Sequence, residues 1–245
     1  MDKCYFADKM SLHYRAALHL QTVKIMQKHL LGLALAVICG IAAAKPYPVH
    51  DQLDKGNISK VDMLKVWDDL IVQNGKFDNA EDKERAIAEA RTLIAMGENG
   101  SDPNFASPET GLSPSETHYF LAGLYWNIHK LGEPGSAEKA EKHFQQLLPL
   151  LSGKEKLEAQ HEYGKFLAST AQFDRAIPVL KEVLQNNLEE AHKSLALVFA
   201  TQAKKEEAIK EMKTYLKHFP HDNEATLALQ AIEEGKLNFE THPVK

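Results

Sequence analysis

Thiols are almost missing from this chain. Its 245 residues include two cysteines, Cys4 and Cys39, and both lie in an amino-terminal stretch that reads as a removable leader. What remains has no thiol for nucleophilic attack and no disulfide. The elements of most catalytic sites are missing too. The sequence has no H-E-x-x-H, no Cys/His cluster and no paired carboxylates at metal-ligand spacing. It has no glycine-rich phosphate loop and no G-x-S-x-G. Ser152-Gly153-Lys154 lacks the upstream glycine and strand of a phosphate loop, and reads as a helix–helix connection. His118, His129, His143 and His161 are scattered, while His218 and His221 flank a proline turn, with no second pair of ligands. No catalysis, cofactor or metal is expected.

Long apolar runs are also scarce. The longest is Leu30–Ala44 (LLGLALAVICGIAAA), fifteen residues without a charge, preceded by Lys24, Lys28 and His29. A helix that crosses a bilayer wants about 20 apolar residues. This stretch ends in Ala42-Ala43-Ala44, an A-x-A site of the kind signal peptidase cuts, and Lys45-Pro46-Tyr47-Pro48 then breaks any helix. Residues 1–44 are therefore expected to be a signal peptide cleaved after Ala44, with translation starting at Met26. Ile38, just before Cys39, does not suit a lipidation signal. Left uncut, the segment would anchor the chain in a membrane.

Cleavage removes five basic residues (Lys3, Lys9, Arg15, Lys24, Lys28) and two acidic ones (Asp2, Asp8) from totals of 29 and 34, leaving a net charge of −8. That acidity argues against nucleic acid and anionic lipid as partners. An exported domain without disulfides suits a bacterial periplasm at least as well as a eukaryotic secretory route. The composition, 44% hydrophobic and 26% charged, is that of an ordinary soluble protein.

What is present is a repeat. Tyr163-Gly164-Lys165-Phe166-Leu167 is followed by Gln172-Phe173-Asp174-Arg175-Ala176-Ile177. Leu195-Ala196-Leu197-Val198-Phe199 is followed by Lys204-Lys205-Glu206-Glu207-Ala208-Ile209. Gly164 to Ala176 and Ala196 to Ala208 are both 12 residues, and the two copies stand 32 residues apart. Each copy sets a small residue in one apolar helix, turns, and opens a second helix on Ala-Ile. Leu180, Val183 and Leu184, then Met212, Tyr215 and Leu216, continue these second helices at helical spacing.

The pattern resembles the tetratricopeptide repeat, a helix–turn–helix unit of about 34 residues. The resemblance implies an all-α fold: a right-handed helical-hairpin solenoid of tetratricopeptide-like repeats with a C-terminal capping helix. Along the chain, 45–59 is expected to be a polar lead-in and 60–114 a divergent helix pair with a linker. The pair comprises a helix over 60–74 (Val61, Leu64, Trp67, Leu70, Ile71) and one over about 80–96 (Ala86, Ile87, Ala90, Leu93, Ile94). Glycines and prolines mark the linker that follows.

Residues 115–151 read as a repeat with a long turn, since Ala122 to Ala140 spans 18 residues. Ser113 and Glu116 supply a capping box for its first helix. Phe120, Leu121, Leu124, Tyr125 and Ile128 form that helix's stripe, and the partner helix is expected over Ala137–Leu151. Two repeats occupy 157–220. A capping helix fills 222–235, opened by Asp222 and ended by Gly235.

In the tetratricopeptide family the exposed face of each repeat's first helix lines a groove that holds peptides. Carried onto this sequence, that face takes Tyr119, Gly123, Trp126 and Asn127, then Glu158, His161, Lys165 and Ser169, then Glu190, Lys193, Leu197 and Thr201. Tyr119 and Trp126 share a face and would anchor an apolar side chain. Alternatively, Trp126 packs in the core beneath the linker. Lys165 and Lys193 stand singly beside Glu158 and Glu190, unlike the Lys, Arg and Asn cluster of the family's chaperone-binding members.

The expected function is that of an exported, non-catalytic adaptor for another protein or peptide in the cell envelope. Two alternatives are a membrane-anchored subunit of an envelope complex and a small-molecule or glycan module in which Trp126 and Tyr119 stack on a ring.

Overall fold

The computed structural model describes residues 77, 79–98, 113–237 and 241–244. The expected signal peptide, the 45–59 lead-in, the 60–74 helix and residues 99–112 of the linker lie outside the described residues. Within them there are eight α-helices and no strand: α1 Ala80–Glu98, α2 Pro114–Lys130, α3 Ser136–Leu147, α4 Gly153–Ser169, α5 Phe173–Gln185, α6 Ala191–Thr201, α7 Lys205–His218 and α8 Asn223–Glu233. The fold is all-α. None of these helices is long and apolar enough to cross a membrane.

Local chemistry sets the helix ends. Ser113 caps α2 with a complete capping box: its Oγ accepts from the Glu116 amide at 3.3 Å, and its own amide donates to Glu116 Oε2 at 2.6 Å. Asp222 caps α8 by accepting from the Ala225 amide at 3.0 Å. The helix expected to run to Leu151 stops at Leu147, with a 3-10 turn over Leu148–Leu150. Pro149 has no N–H to carry the α-helical ladder further. The Ser152–Lys154 connection is shorter than expected, because α4 already opens at Gly153.

Consecutive helices pair as antiparallel hairpins: α2 on α3, α4 on α5, and α6 on α7. Further packing of α1 on α2, α3 on α4, α5 on α6, α7 on α8 and α4 on α6 joins them into one repeat-like helical array. The small residues mark the close approaches. Ala122, Ala140, Ala176, Ala196 and Ala208 have no exposed surface. Gly164 is tighter still, since a Cβ there would meet Leu180 Cδ2 at 2.6 Å. Leu180 is itself fully buried and has nowhere to retreat.

The hairpin turns share one closure. In the turn after α4, the Gln172 amide donates to the Leu167 carbonyl at 2.8 Å and the Ala171 amide to that of Ala168 at 3.0 Å. In the turn after α6, Lys204 donates to Phe199 at 2.8 Å and Ala203 to Ala200 at 3.0 Å. The same pair of bonds follows α2, where Glu133 donates to Ile128 and Gly132 to His129. This is the Schellman arrangement, which requires a left-handed residue just past the helix. Gly132 supplies it at φ 95° without strain, whereas Ala171 (φ 61°) and Ala203 (φ 58°) do so against their Cβ atoms.

A non-glycine residue in that region costs about 1–2 kcal/mol. Ala171→Gly and Ala203→Gly should therefore each raise unfolding stability by about 0.5–1 kcal/mol, once glycine's extra unfolded-state entropy is set against the relief. Denaturant melts of the two variants measure this. A loss of stability in both would contradict the turn geometry.

Candidate functional site: a polar floor between the hairpins

The site begins with Trp126, near the end of α2. Its indole is only 8% exposed and meets Phe144 of α3 and Phe166 of α4 edge-on, with ring centroids 6.4 and 5.9 Å away. Its N–H donates to Ser169 Oγ at 2.8 Å, and that hydroxyl in turn donates to the Phe166 carbonyl at 2.8 Å. Trp126 thus pins α2 and α3 to the last turn of α4. One helical turn further on, the Lys130 ammonium lies 5.0 Å from the centroid of the Trp126 ring.

On α4, Lys165 pairs with Glu162, its Nζ 2.9 and 3.0 Å from the two carboxylate oxygens. Both side chains are nearly out of solvent, at 13% and 11% exposed. His161, one position before Glu162, shares a 2.8 Å hydrogen bond with Ser194 Oγ on α6. The array Trp126, Lys130, His161, Glu162, Lys165 and Ser194 therefore runs across α2, α4 and α6.

Lys130 and His161 retain some exposed surface, yet protein surrounds each of them closely enough to alter its proton affinity. Each is thus partly enclosed by its neighbours. Burial, with help from the neighbouring Lys165 charge, lowers Lys130 to about 8 against an opposing pull from Glu162. The same two causes lower His161 to about 3, so this imidazole is neutral. Lys130 forms no ion pair among the described residues. The floor carries two ammonium groups and one carboxylate.

The expected groove residues divide around this floor. Trp126, His161, Lys165 and Ser169 are part of it, but Trp126 is no open-face anchor. It is a core residue held by Phe144 and Phe166. Gly123 and Asn127 are buried as well. Asn127 donates to the Gly123 carbonyl at 2.8 Å, and its own carbonyl oxygen has no partner among the described residues. The exposed face drawn for α2 is thus corrected: α2 is covered on nearly every side from Phe120 to Ile128.

Tyr119 is half-buried against the core. Glu158 pairs with Lys154 at 3.5 Å, and Glu190 sits at the start of α6. Lys193 is not available as a groove cation. Its ammonium lies 2.8 Å from Glu224 and 3.3 Å from Asp222, and Asp222 also accepts from Tyr215 at 2.7 Å. This cluster ties α6 and α7 to the start of α8. Burial alone would raise the Asp222 carboxyl, but the Ala225 amide, Tyr215 and Lys193 outweigh it and leave it below its usual value.

Lys130, Glu162 and Ser194 were not expected at the site. Lys130 lies one helical turn past Trp126, a spacing visible in the sequence. Ser194 is brought in only by the packing of α4 on α6. A separate pair, His118 and His143, places its Nδ1 atoms 3.0 Å apart between α2 and α3. Burial, then the His118 charge, lowers His143 to about 4. Among the described residues no three His, Cys, Asp or Glu side chains group closely enough to hold a metal ion. No protein-family model, curated protein or solved structure matches the chain.

The neutral His161 makes stability depend on pH. Its folded value lies below the unfolded 6.5, so its contribution is complete above about pH 6.5 and is lost as pH falls toward 3. Acidification from pH 7 to 5 should cost about 1–2 kcal/mol through this residue. His161→Gln, which keeps a partner for Ser194, should flatten the stability–pH curve by that amount. Identical slopes for the two proteins in urea melts would show that His161 is not enclosed as described.

Proposed function

We propose that the chain is a tetratricopeptide-like, non-catalytic adaptor, exported to the cell envelope, that holds an extended segment of another protein along the face formed by α2, α4 and α6. The single observation that carries this reading is the enclosed floor. An ammonium kept from water without a counter-ion of its own destabilises a fold. Lys130 is partly such a group: it keeps some exposed surface but lies over Trp126 with its proton affinity lowered. A ligand that brings an acidic side chain would offset that cost, which interior packing alone does not. The stacking platform needed for a glycan reading is weakened, because Trp126 is buried between Phe144 and Phe166. The repeated hairpins and their 32-residue period support the family resemblance, and the −8 charge of the cleaved chain favours a protein partner over nucleic acid.

A photo-crosslinking residue at Glu158, on the same face of α4 as Glu162 and Lys165, should capture a defined protein partner in intact cells. The same residue at Lys181, exposed on α5, should not. Lys130→Glu should abolish the Glu158 adduct while leaving the helical circular-dichroism signal unchanged. Equal adducts from both positions, or an adduct indifferent to Lys130→Glu, would refute the groove reading.

A further inference from the structure

The last described residues of the chain fold back onto its own helices. After Gly235 ends α8 in the left-handed conformation (φ 67°), residues 241–244 lie in no helix or turn and return to the ends of α2 and α4. The His242 amide donates to the Ser169 carbonyl at 2.7 Å. The His242 carbonyl accepts from Nε2 of His129 at 2.7 Å, and the two imidazoles meet edge-on with centroids 6.4 Å apart. A carbonyl only accepts, so Nε2 of His129 carries the proton.

Both bonds are made to the main chain of His242. The subsite therefore reads a peptide backbone and would accept many sequences in the same pose. The acceptor on α4 is also left open by the fold itself. The Schellman turn satisfies the Phe166, Leu167 and Ala168 carbonyls through Thr170, Gln172 and Ala171, which leaves Ser169 as the last carbonyl of the helix without a partner in the turn. The tail fills it. The same Ser169 takes the Trp126 indole N–H on its hydroxyl, so the tail docks on a residue of the joint between α2 and α4.

We propose that Thr241–Val244 is an intramolecular occupant of this groove, bound through the main chain of His242, and that it must leave before an external extended peptide can take its place. This rests on the groove being a peptide-binding surface. A segment tethered by a short stretch of chain acts at an effective concentration on the order of millimolar. An external segment of equal intrinsic affinity then binds with its apparent affinity reduced by the fraction of time the tail is away. The device makes the groove selective for partners that are tethered or locally concentrated themselves, or that gain contacts the tail lacks, such as a counter-charge for Lys130.

The test uses the full chain and a fluorescent synthetic peptide with the sequence of residues 236–245. His242→Pro removes the donor to Ser169, whereas His242→Ala keeps both main-chain bonds. By anisotropy, the His242→Pro chain should bind the peptide at least about tenfold more tightly than the native chain, and His242→Ala should stay within about threefold of native. In the native chain the His242 amide should be protected from hydrogen exchange. Equal binding by native and His242→Pro chains, binding by neither, or an unprotected His242 amide would overturn the proposal. The two readings fail separately. A partner captured equally at Glu158 in native and His242→Pro chains would keep the groove and remove the tail. Tail binding without any captured partner would do the reverse.

Discussion

The rest of the structure depends on the hydrogen bond and edge-on ring contacts made by Trp126. Each hairpin has its own tight turn and its own buried small residues, so each pair of helices is fixed locally. What fixes the first hairpin to the second is a side chain of α2 wedged between Phe144 and Phe166 and bonded to Ser169. Aromatic contacts of this kind contribute about 0.5–1.5 kcal/mol beyond area burial, and the part-buried hydrogen bond about 1 kcal/mol more. On the outer side, Tyr163 donates to Glu141 at 3.0 Å and Arg175 pairs with the same carboxylate. Arg175 is about half exposed, so that pair is worth less than the wedge.

The joint also explains where the candidate site lies. The indole at the junction of α2 and α4 carries Lys130 over its ring and holds Ser169, whose carbonyl the tail uses. The far end of the array has no such floor, because Lys193 is drawn into Asp222 and Glu224 to hold α8 in place. Two lysines that look alike in sequence, each seated in the first helix of a repeat, thus do different things. Lys165 is nearly enclosed in a pair with Glu162 on its own helix. Lys193 serves as a strut to the last helix.

The helices were legible because their signals are local. Apolar residues at helical spacing, the Ser113–Glu116 box, Asp222 and Gly235 each act within a few residues of themselves, and the 12-residue spacing of Gly164–Ala176 and Ala196–Ala208 marks two hairpins whose small residues are indeed buried. Apolar spacing alone carries α3 on to Leu151, whereas Pro149 ends its α-helical ladder at Leu147. The site was less legible. Trp126 on a helix stripe fits an open face or a core equally well until the helices that cover it are placed. Lys130 and Ser194 matter only through neighbours on other helices, and His242 reaches His129 across 113 positions. No periodicity carries information over that range.

The most direct measurement is a double-mutant cycle on the joint, with Trp126→Phe, Ser169→Ala and the combination compared in denaturant melts. Phenylalanine keeps the wedge but deletes the N–H donor, and alanine deletes its acceptor. If Trp126 and Ser169 hold the hairpins together as described, the two losses are coupled by about 1 kcal/mol. Effects that add within about 0.3 kcal/mol would mean the bond contributes nothing, which would contradict the hydrogen-bonded joint between Trp126 and Ser169.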